Sequence, residues 1–149
     1  MHGFHGRILY ADASTRTFRI EPLPPDVPET CLGGKGLGSR LLLEDNPPGC
    51  DPLGPDNHII FATGPATQSP VWGGSRYGVY AISPLTGAYM ESYAGGRIPE
   101  AMDAAGFDAV VVHGASSEAL SLVVHPQGCE FKNAGDIWGS ETYAAEDAL

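Results

Sequence analysis

The pattern of apolar and polar positions predicts strands along much of the chain. Thr17-Phe18-Arg19-Ile20-Glu21 alternates with a period of two, which puts Phe18 and Ile20 on one face of a strand. Arg7-Ile8-Leu9-Tyr10-Ala11-Asp12 precedes it as a second strand, and the polar Ser14-Thr15-Arg16 joins the two as a hairpin. His58-Ile59-Ile60-Phe61-Ala62 is a short apolar run of the fully buried type, and Tyr77 to Ile82 is another, rich in aromatic and branched residues. Asp108-Ala109-Val110-Val111-Val112-His113 and Leu120-Ser121-Leu122-Val123-Val124 predict two neighbouring strands. Cys129-Glu130-Phe131 extends that sheet after the turn Pro126-Gln127-Gly128.

Helices are fewer and shorter. Gly33-Gly34-Lys35-Gly36-Leu37-Gly38 is a turn leading into a helix over 39–44, stopped by Asn46-Pro47-Pro48-Gly49. Pro99 suits a first helical position and Gly106 a left-handed stop, which brackets a helix over 100–105. Ser140 is placed to cap a last helix over 141–149. Pro22 to Pro28 reads as a connection, because proline cannot continue a ladder. The succession strand, turn, strand, connection, glycine turn, helix over 7–44 returns over 108–149. Two buried strands follow the first pass and none follows the second. The expectation is an α+β domain over 1–149, with two β-sheet/helix halves and an incomplete second half, cut from a longer polypeptide or forming one subunit of a split one.

Composition narrows the function classes. The net charge of −10 disfavours nucleic acid and anionic membranes, and the eight basic residues form no stripe. Gly numbers 20 and Pro 13, and they separate hydrophobic runs, so they read as turns. Cys31, Cys50 and Cys129 form no CxxC pair; three reduced thiols in a cytoplasmic protein are expected, with no disulfide framework or metal site made by this chain alone. The N-terminal residues lack the apolar stretch of a signal peptide, and no segment has the length of a membrane span.

The strongest chemical signal is an arginine. Between Asp56 and Glu91 the single formally charged side chain is Arg76, amid apolar, small and turn-forming residues. Burying a guanidinium there is costly unless an anion or several acceptors meet it, and its planar fork suits phosphate or carboxylate. The expectation is a sequestered Arg76 facing a phosphorylated ligand; the plainer alternative is a buried pair with Glu91 or with backbone carbonyls. Tyr93-Ala94-Gly95-Gly96 follows as a glycine turn before a helix, suited to close approach of backbone to a phosphate or simply to a turn. Arg97 either adds positive potential to an anion site or is solvated. Lys35 lacks the spacing of a nucleotide loop. The five histidines show no metal-ligand spacing, and His58 and His113 read as hydrogen-bonded edge residues. Ser75, Ser83 and Thr86 have no base at a readable spacing. Trp72, Tyr77, Tyr80, Tyr89 and Tyr93 either wall a pocket or pack a core.

Taken in order, Gly33-Gly34-Lys35-Gly36-Leu37, Asp51-Pro52-Leu53, Ala62-Thr63-Gly64-Pro65, Gly74-Ser75-Arg76-Tyr77, Ser83-Pro84-Leu85-Thr86-Gly87, Ala105-Gly106-Phe107-Asp108 and Trp138-Gly139 resemble the N-terminal domain of the tungsten- or molybdenum-containing aldehyde:ferredoxin oxidoreductases. The resemblance runs the length of the chain. It implies a platform for a tungsto- or molybdo-bis-pyranopterin cofactor, whose phosphates are bridged by magnesium and whose metal sits on the pterin dithiolenes. It implies oxidation of small aldehydes to carboxylates, with electrons passing through a [4Fe-4S] cluster to ferredoxin. By this resemblance Arg76 and Gly95 are pterin contacts. Tyr93 stands where an asparagine offers its backbone carbonyl to the magnesium. The cluster ligands and a second phosphate-binding arginine stretch fall beyond Leu149, so the chain alone is expected to be inert. The partners implied are the remaining domains or subunit, ferredoxin and the aldehyde, and a homodimer is left open. Two other readings stand beside it: a non-catalytic binding or assembly module of the same fold, and a relative acting on aromatic thioesters or hydroxy acids.

Overall fold

Six strands share one sheet in the computed structural model, which describes residues 3–148. The strands are β1 (Arg7–Asp12), β2 (Thr17–Pro22), β3 (Ile59–Thr63), β4 (Tyr77–Ile82), β5 (Tyr89–Ala94) and β6 (Ala109–His113), in the order β2-β1-β6-β3-β4-β5. Only β1 and β6 run parallel; the other neighbours are antiparallel. A separate two-stranded sheet is the hairpin of β7 (Leu120–His125) and β8 (Gly128–Asn133). Four helices complete the α+β fold: α1 (Val27–Thr30), α2 (Gly34–Asp45), α3 (Ile98–Ala105) and α4 (Thr142–Ala148).

Both faces of the large sheet are apolar, and each takes its own cover. On one face Ile8, Tyr10, Ile60, Tyr80 and Val111 meet Leu37, Leu41 and Leu42 of α2. On the other, Leu9, Ala11 and Val110 meet Met102 and Ala105 of α3 and Leu122, Val124, Cys129 and Phe131 of the hairpin. This explains why β7 does not pair with β6, contrary to the expected neighbouring strands. Both edges of β6 are taken by β1 and β3. Its outward apolar face still needs cover, which a hairpin laid across the sheet provides and a further strand would not. The repeat of elements in the sequence therefore does not carry over into equivalent strand pairing.

Helix α2 starts five residues before the predicted helix, inside the glycine run. A Cβ on Gly38 would overlap the ring of the buried Tyr80, and one on Gly36 would strike the Cys31 carbonyl. These glycines let the helix lie close on the sheet rather than form a turn. The connection at 22–28 holds the one-turn α1, with Pro28 in its first turn and Val27 fully buried. Strand β5 was not foreseen: it is mostly exposed and lacks an apolar face, so only its pairing with β4, Tyr77↔Ala94 to Ile82↔Tyr89, reveals it. Helix α3 follows expectation, with Pro99 in its first turn and Gly106 left-handed at φ +77°. Helix α4 buries no residue, and Leu149, the end of the predicted helix, lies outside the described residues, as does His2.

Buried Asp108 ties the start of β6 to the chain before β1. Its Oδ1 accepts from the His5 N–H at 3.0 Å, and its Oδ2 accepts from the N–H groups of Gly6 at 2.7 Å and Arg7 at 3.1 Å. His58 and His113 sit at the ends of interior strands, not at a sheet edge, with ring centroids 5.0 Å apart. His58 Nδ1 is 2.8 Å from Asn46 Oδ1.

Candidate anion-binding groove

The rim where β4 begins and β5 ends faces the start of α3 across a groove of about 670 Å³. Gln68, Gly74, Ser75, Arg76, Gly96 and Arg97 are among the residues lining it. The turn between β3 and β4 forms one wall. Gly74 is required there, because a Cβ would come within 2.7 Å of the Ala66 carbonyl oxygen. Gln68 donates from Nε2 to the Glu100 backbone carbonyl at 2.7 Å, which fastens that turn to α3 and closes one end of the groove.

Arg76 is exposed, so the expectation of a sequestered guanidinium is overturned. The one hydrogen bond its guanidinium makes among the described residues is from Nη1 to the Ser75 carbonyl at 3.3 Å. The buried pair with Glu91 is also absent, since Glu91 is 2.9 Å from Lys35 Nζ on the α2 side of the sheet. The hydrogen bond to Lys35 holds the Glu91 carboxyl below the usual carboxylate range. The physical reason is that apolar neighbours in sequence alternate across a sheet, whereas Arg76 stands just before β4, at the sheet's rim. A neutral stretch of chain is not a buried one.

The juxtaposition with glycine does hold. A Cβ on Gly95 would run into Arg76 Nη1, so the guanidinium lies directly over the Gly95 backbone. Gly96 is left-handed at φ +79° and turns the chain into α3, with Arg97 as its N-cap. Tyr93 sits two residues before Gly95, with its half-exposed ring edge-on to Tyr80 at 6.2 Å between centroids. Its side chain projects to the α2 face, as the register Gly78↔Tyr93 requires, so only its backbone is near the groove rim. Of the aromatics read as a possible pocket wall, Trp72 is fully exposed, Tyr80 is core and Tyr77 stacks on Phe61 at 6.4 Å. They do not form a single wall.

One feature of this rim was missed in the sequence. The Ser75 hydroxyl is buried and has no hydrogen-bond partner among the described residues. Buried hydroxyls without partners are uncommon and costly. The Gly-Ser-Arg string carried no hint of it, because burial there depends on how the turn folds back. An exposed guanidinium over a glycine backbone and a second arginine in the same groove suit an anionic, phosphate-bearing group. Among the described residues no cluster of three or more His, Cys, Asp or Glu side chains is gathered for a metal ion. No described helix is long and apolar enough to cross a membrane.

The fold is that of an α+β domain with an arginine-lined groove at one rim of its sheet, and sequence comparison places it. The profile of the aldehyde ferredoxin oxidoreductase N-terminal domain matches residues 8–149, and the chain belongs to that family. It is 34% identical over 149 residues to the tungsten-containing aldehyde ferredoxin oxidoreductase of Pyrococcus abyssi, covering all of this chain and 24% of that protein. It is 36% identical over 148 residues to the protein of the same description from Thermococcus kodakarensis, covering 97% of this chain and 24% of that protein. The chain therefore spans about a quarter of the length of these relatives. Among solved structures, the active site complex BamBC of benzoyl coenzyme A reductase, in complex with 1,5-dienoyl-CoA, superposes with a TM-score of 0.94 at 26% identity. It covers 99% of this chain and 22% of that one.

Proposed function

We propose that residues 1–149 form the N-terminal cofactor platform of a bis-pterin oxidoreductase containing tungsten or molybdenum. The whole protein would oxidise small aldehydes to carboxylic acids and hand electrons to ferredoxin. The carrying observation is the Arg76 guanidinium lying over the Gly95 backbone at the mouth of the groove. Arg76 holds phosphate oxygens of the pterin through its planar fork, and Gly95, having no side chain, lets the cofactor approach the backbone. The Tyr93 backbone carbonyl serves as a ligand for magnesium; this role does not depend on the side chain. When bound, the metal–pterin group supplies the two-electron oxidation, with water providing the added oxygen. The [4Fe-4S] cluster and its cysteines belong to other parts of the polypeptide, so the 149-residue chain is inactive alone.

Two rival readings weigh less. Identity is 34–36% with relatives described as aldehyde oxidoreductases. It falls to 27% with the aliphatic sulfonate oxidoreductase WOR-like subunit of Pyrococcus furiosus and to 26% with the benzoyl coenzyme A reductase complex. That order favours aldehydes over aromatic thioesters. A non-catalytic module would have no need of an arginine held against a glycine. The test is Arg76→Ala in the full-length protein, with tungsten, molybdenum and pterin measured per mole after purification. Retention should fall several-fold with an unchanged circular dichroism spectrum; wild-type metal and pterin content would refute the role of Arg76.

A further inference from the structure

The distribution of charge singles out a second cation. The chain carries eight Lys and Arg against eighteen Asp and Glu. In such an excess of acid a basic side chain on the surface readily finds a carboxylate, and five of the eight do. Arg16 pairs with Glu118 at 2.6 Å, Arg19 with Glu21 at 2.6 Å, and Lys35 with Glu91 at 2.9 Å. Arg40 pairs with Asp26 at 2.6 Å and Glu44 at 2.8 Å, and Lys132 lies 3.8 Å from Glu130. Arg7 instead lies 4.6 Å over the Phe107 ring and donates to the Pro126 carbonyl at 2.9 Å. Among the described residues, Arg76 and Arg97 alone have neither a carboxylate nor a ring, and both line the same groove. Glu100 lines that groove as well, yet forms an ion pair with neither.

We propose that Arg97 completes, with Arg76, a binding groove for a phosphate dianion, with Glu100 as the opposing charge that limits its affinity. This deepens the reading of the groove as the cofactor's phosphate contact and rests on it. Two guanidinium groups match the two charges of a phosphoryl group better than the single charge of a carboxylate. Glu100 repels the same ligand, so its neutralisation strengthens binding.

The experiment titrates inorganic pyrophosphate into the chain, followed by phosphorus NMR and calorimetry at low salt. Arg97→Gln should weaken binding by about 5- to 10-fold and Arg76→Gln by a similar factor, as expected for charged hydrogen bonds discounted for exposure. Arg97→Lys should fall between, because it keeps the charge and loses the fork. Glu100→Gln should tighten binding. Lys132→Gln, a paired cation on β8, should change little. Wild-type affinity in Arg97→Gln, or no pyrophosphate binding by the unmodified chain, overturns the inference. Its failure is distinct from that of the cofactor reading. If Arg97 governs pyrophosphate binding while the full-length protein carries no pterin, the groove stands and the cofactor assignment falls. If Arg76 alone matters for both, the assignment stands and the second cation falls.

Discussion

Asp108→Asn probes how the sheet is tied together. The side chain is 4% exposed and accepts three backbone hydrogen bonds from residues a hundred positions earlier. Asparagine keeps the shape and replaces one oxygen by an NH2 that cannot accept. With the amide nitrogen at the Oδ2 position, the bonds from Gly6 and Arg7 are both lost. At the Oδ1 position, only that from His5 is lost, so this arrangement wins. One charge-assisted bond worth about 1.5–3 kcal/mol disappears and two others lose their charge assistance. The donors are only part-buried, so water recovers some of that, and the expected cost is about 2 kcal/mol. Asp108→Ala strands all three donors and should cost about 4 kcal/mol, at roughly 1–3 kcal/mol for each donor less what water recovers. For 149 residues the unfolding entropy is about 0.3 kcal/mol per degree, so the asparagine variant should melt about 6 °C lower. Urea unfolding followed by far-UV circular dichroism, with unchanged m, gives both values. An Asp108→Asn variant within 0.5 kcal/mol of wild type, beside a strongly destabilised Asp108→Ala, would mean the side chain fills space rather than holding the strand, and the reasoning would fail.

Three further outcomes follow from the same coordinates. Burial of the His58 ring holds its imidazole below the ordinary 6.5, so the neutral ring's contribution to stability is intact above about pH 6.5. It is lost as pH falls through the folded value, and His58→Gln should flatten that decline; an NMR midpoint at or above 6.5 would contradict this. Gly38→Ala gains about 1 kcal/mol of helix propensity but forces a methyl into the Tyr80 ring at about 1–3 kcal/mol; a net loss of about 1 kcal/mol is expected in chemical denaturation, and a stabilised variant would show that the helix can lift without penalty. Gly95→Ala meets only the mobile end of Arg76, so stability should stay within about 0.5 kcal/mol while tungsten and pterin retention in the full-length protein drops; unchanged retention would count against close backbone approach.

Legibility in the sequence followed apolar pattern, whether alternating as in the mostly exposed β2 or continuous as in buried strands. Strands β1, β3, β4 and β6 were readable because both-sided cover leaves near-continuous apolar runs, and α3 was readable because Pro99 and Gly106 mark its ends with backbone chemistry rather than pattern. Strand β5 was invisible because Tyr89, Glu91, Ser92 and Tyr93 are exposed and its existence rests on hydrogen bonds to β4. Helix α2 was cut short because Gly34, Gly36 and Gly38 weaken helix propensity, and the packing on Tyr80 that outweighs it is a tertiary fact. At the groove, the neutral window drew attention to Arg76 and misjudged its burial. The window measures spacing along the chain, whereas burial depends on which end of a strand the residue occupies. Ser75 and the absence of partners for Arg97 could not be read at all, since both depend on contacts between the β3–β4 turn and α3.

The exposure of Arg76 changes what this domain contributes. A guanidinium in open solvent gains little from a phosphate at physiological salt, because water and ions screen the pair. The same contact becomes several times stronger once water is excluded. Under the cofactor proposal, the groove alone would select for phosphate and orient it without holding it for long. Durable retention requires a second surface to cover the ligand. The apolar residues beside the groove suit that purpose: Val71 and Trp72 on the β3–β4 turn and Ile98 at the start of α3 are all more than half exposed. Exposed apolar side chains beside an arginine-lined groove suit a surface that another part of the polypeptide closes over. On the proposed reading, then, orientation comes from Arg76, Gly95 and Arg97, and affinity comes from whatever seals the rim.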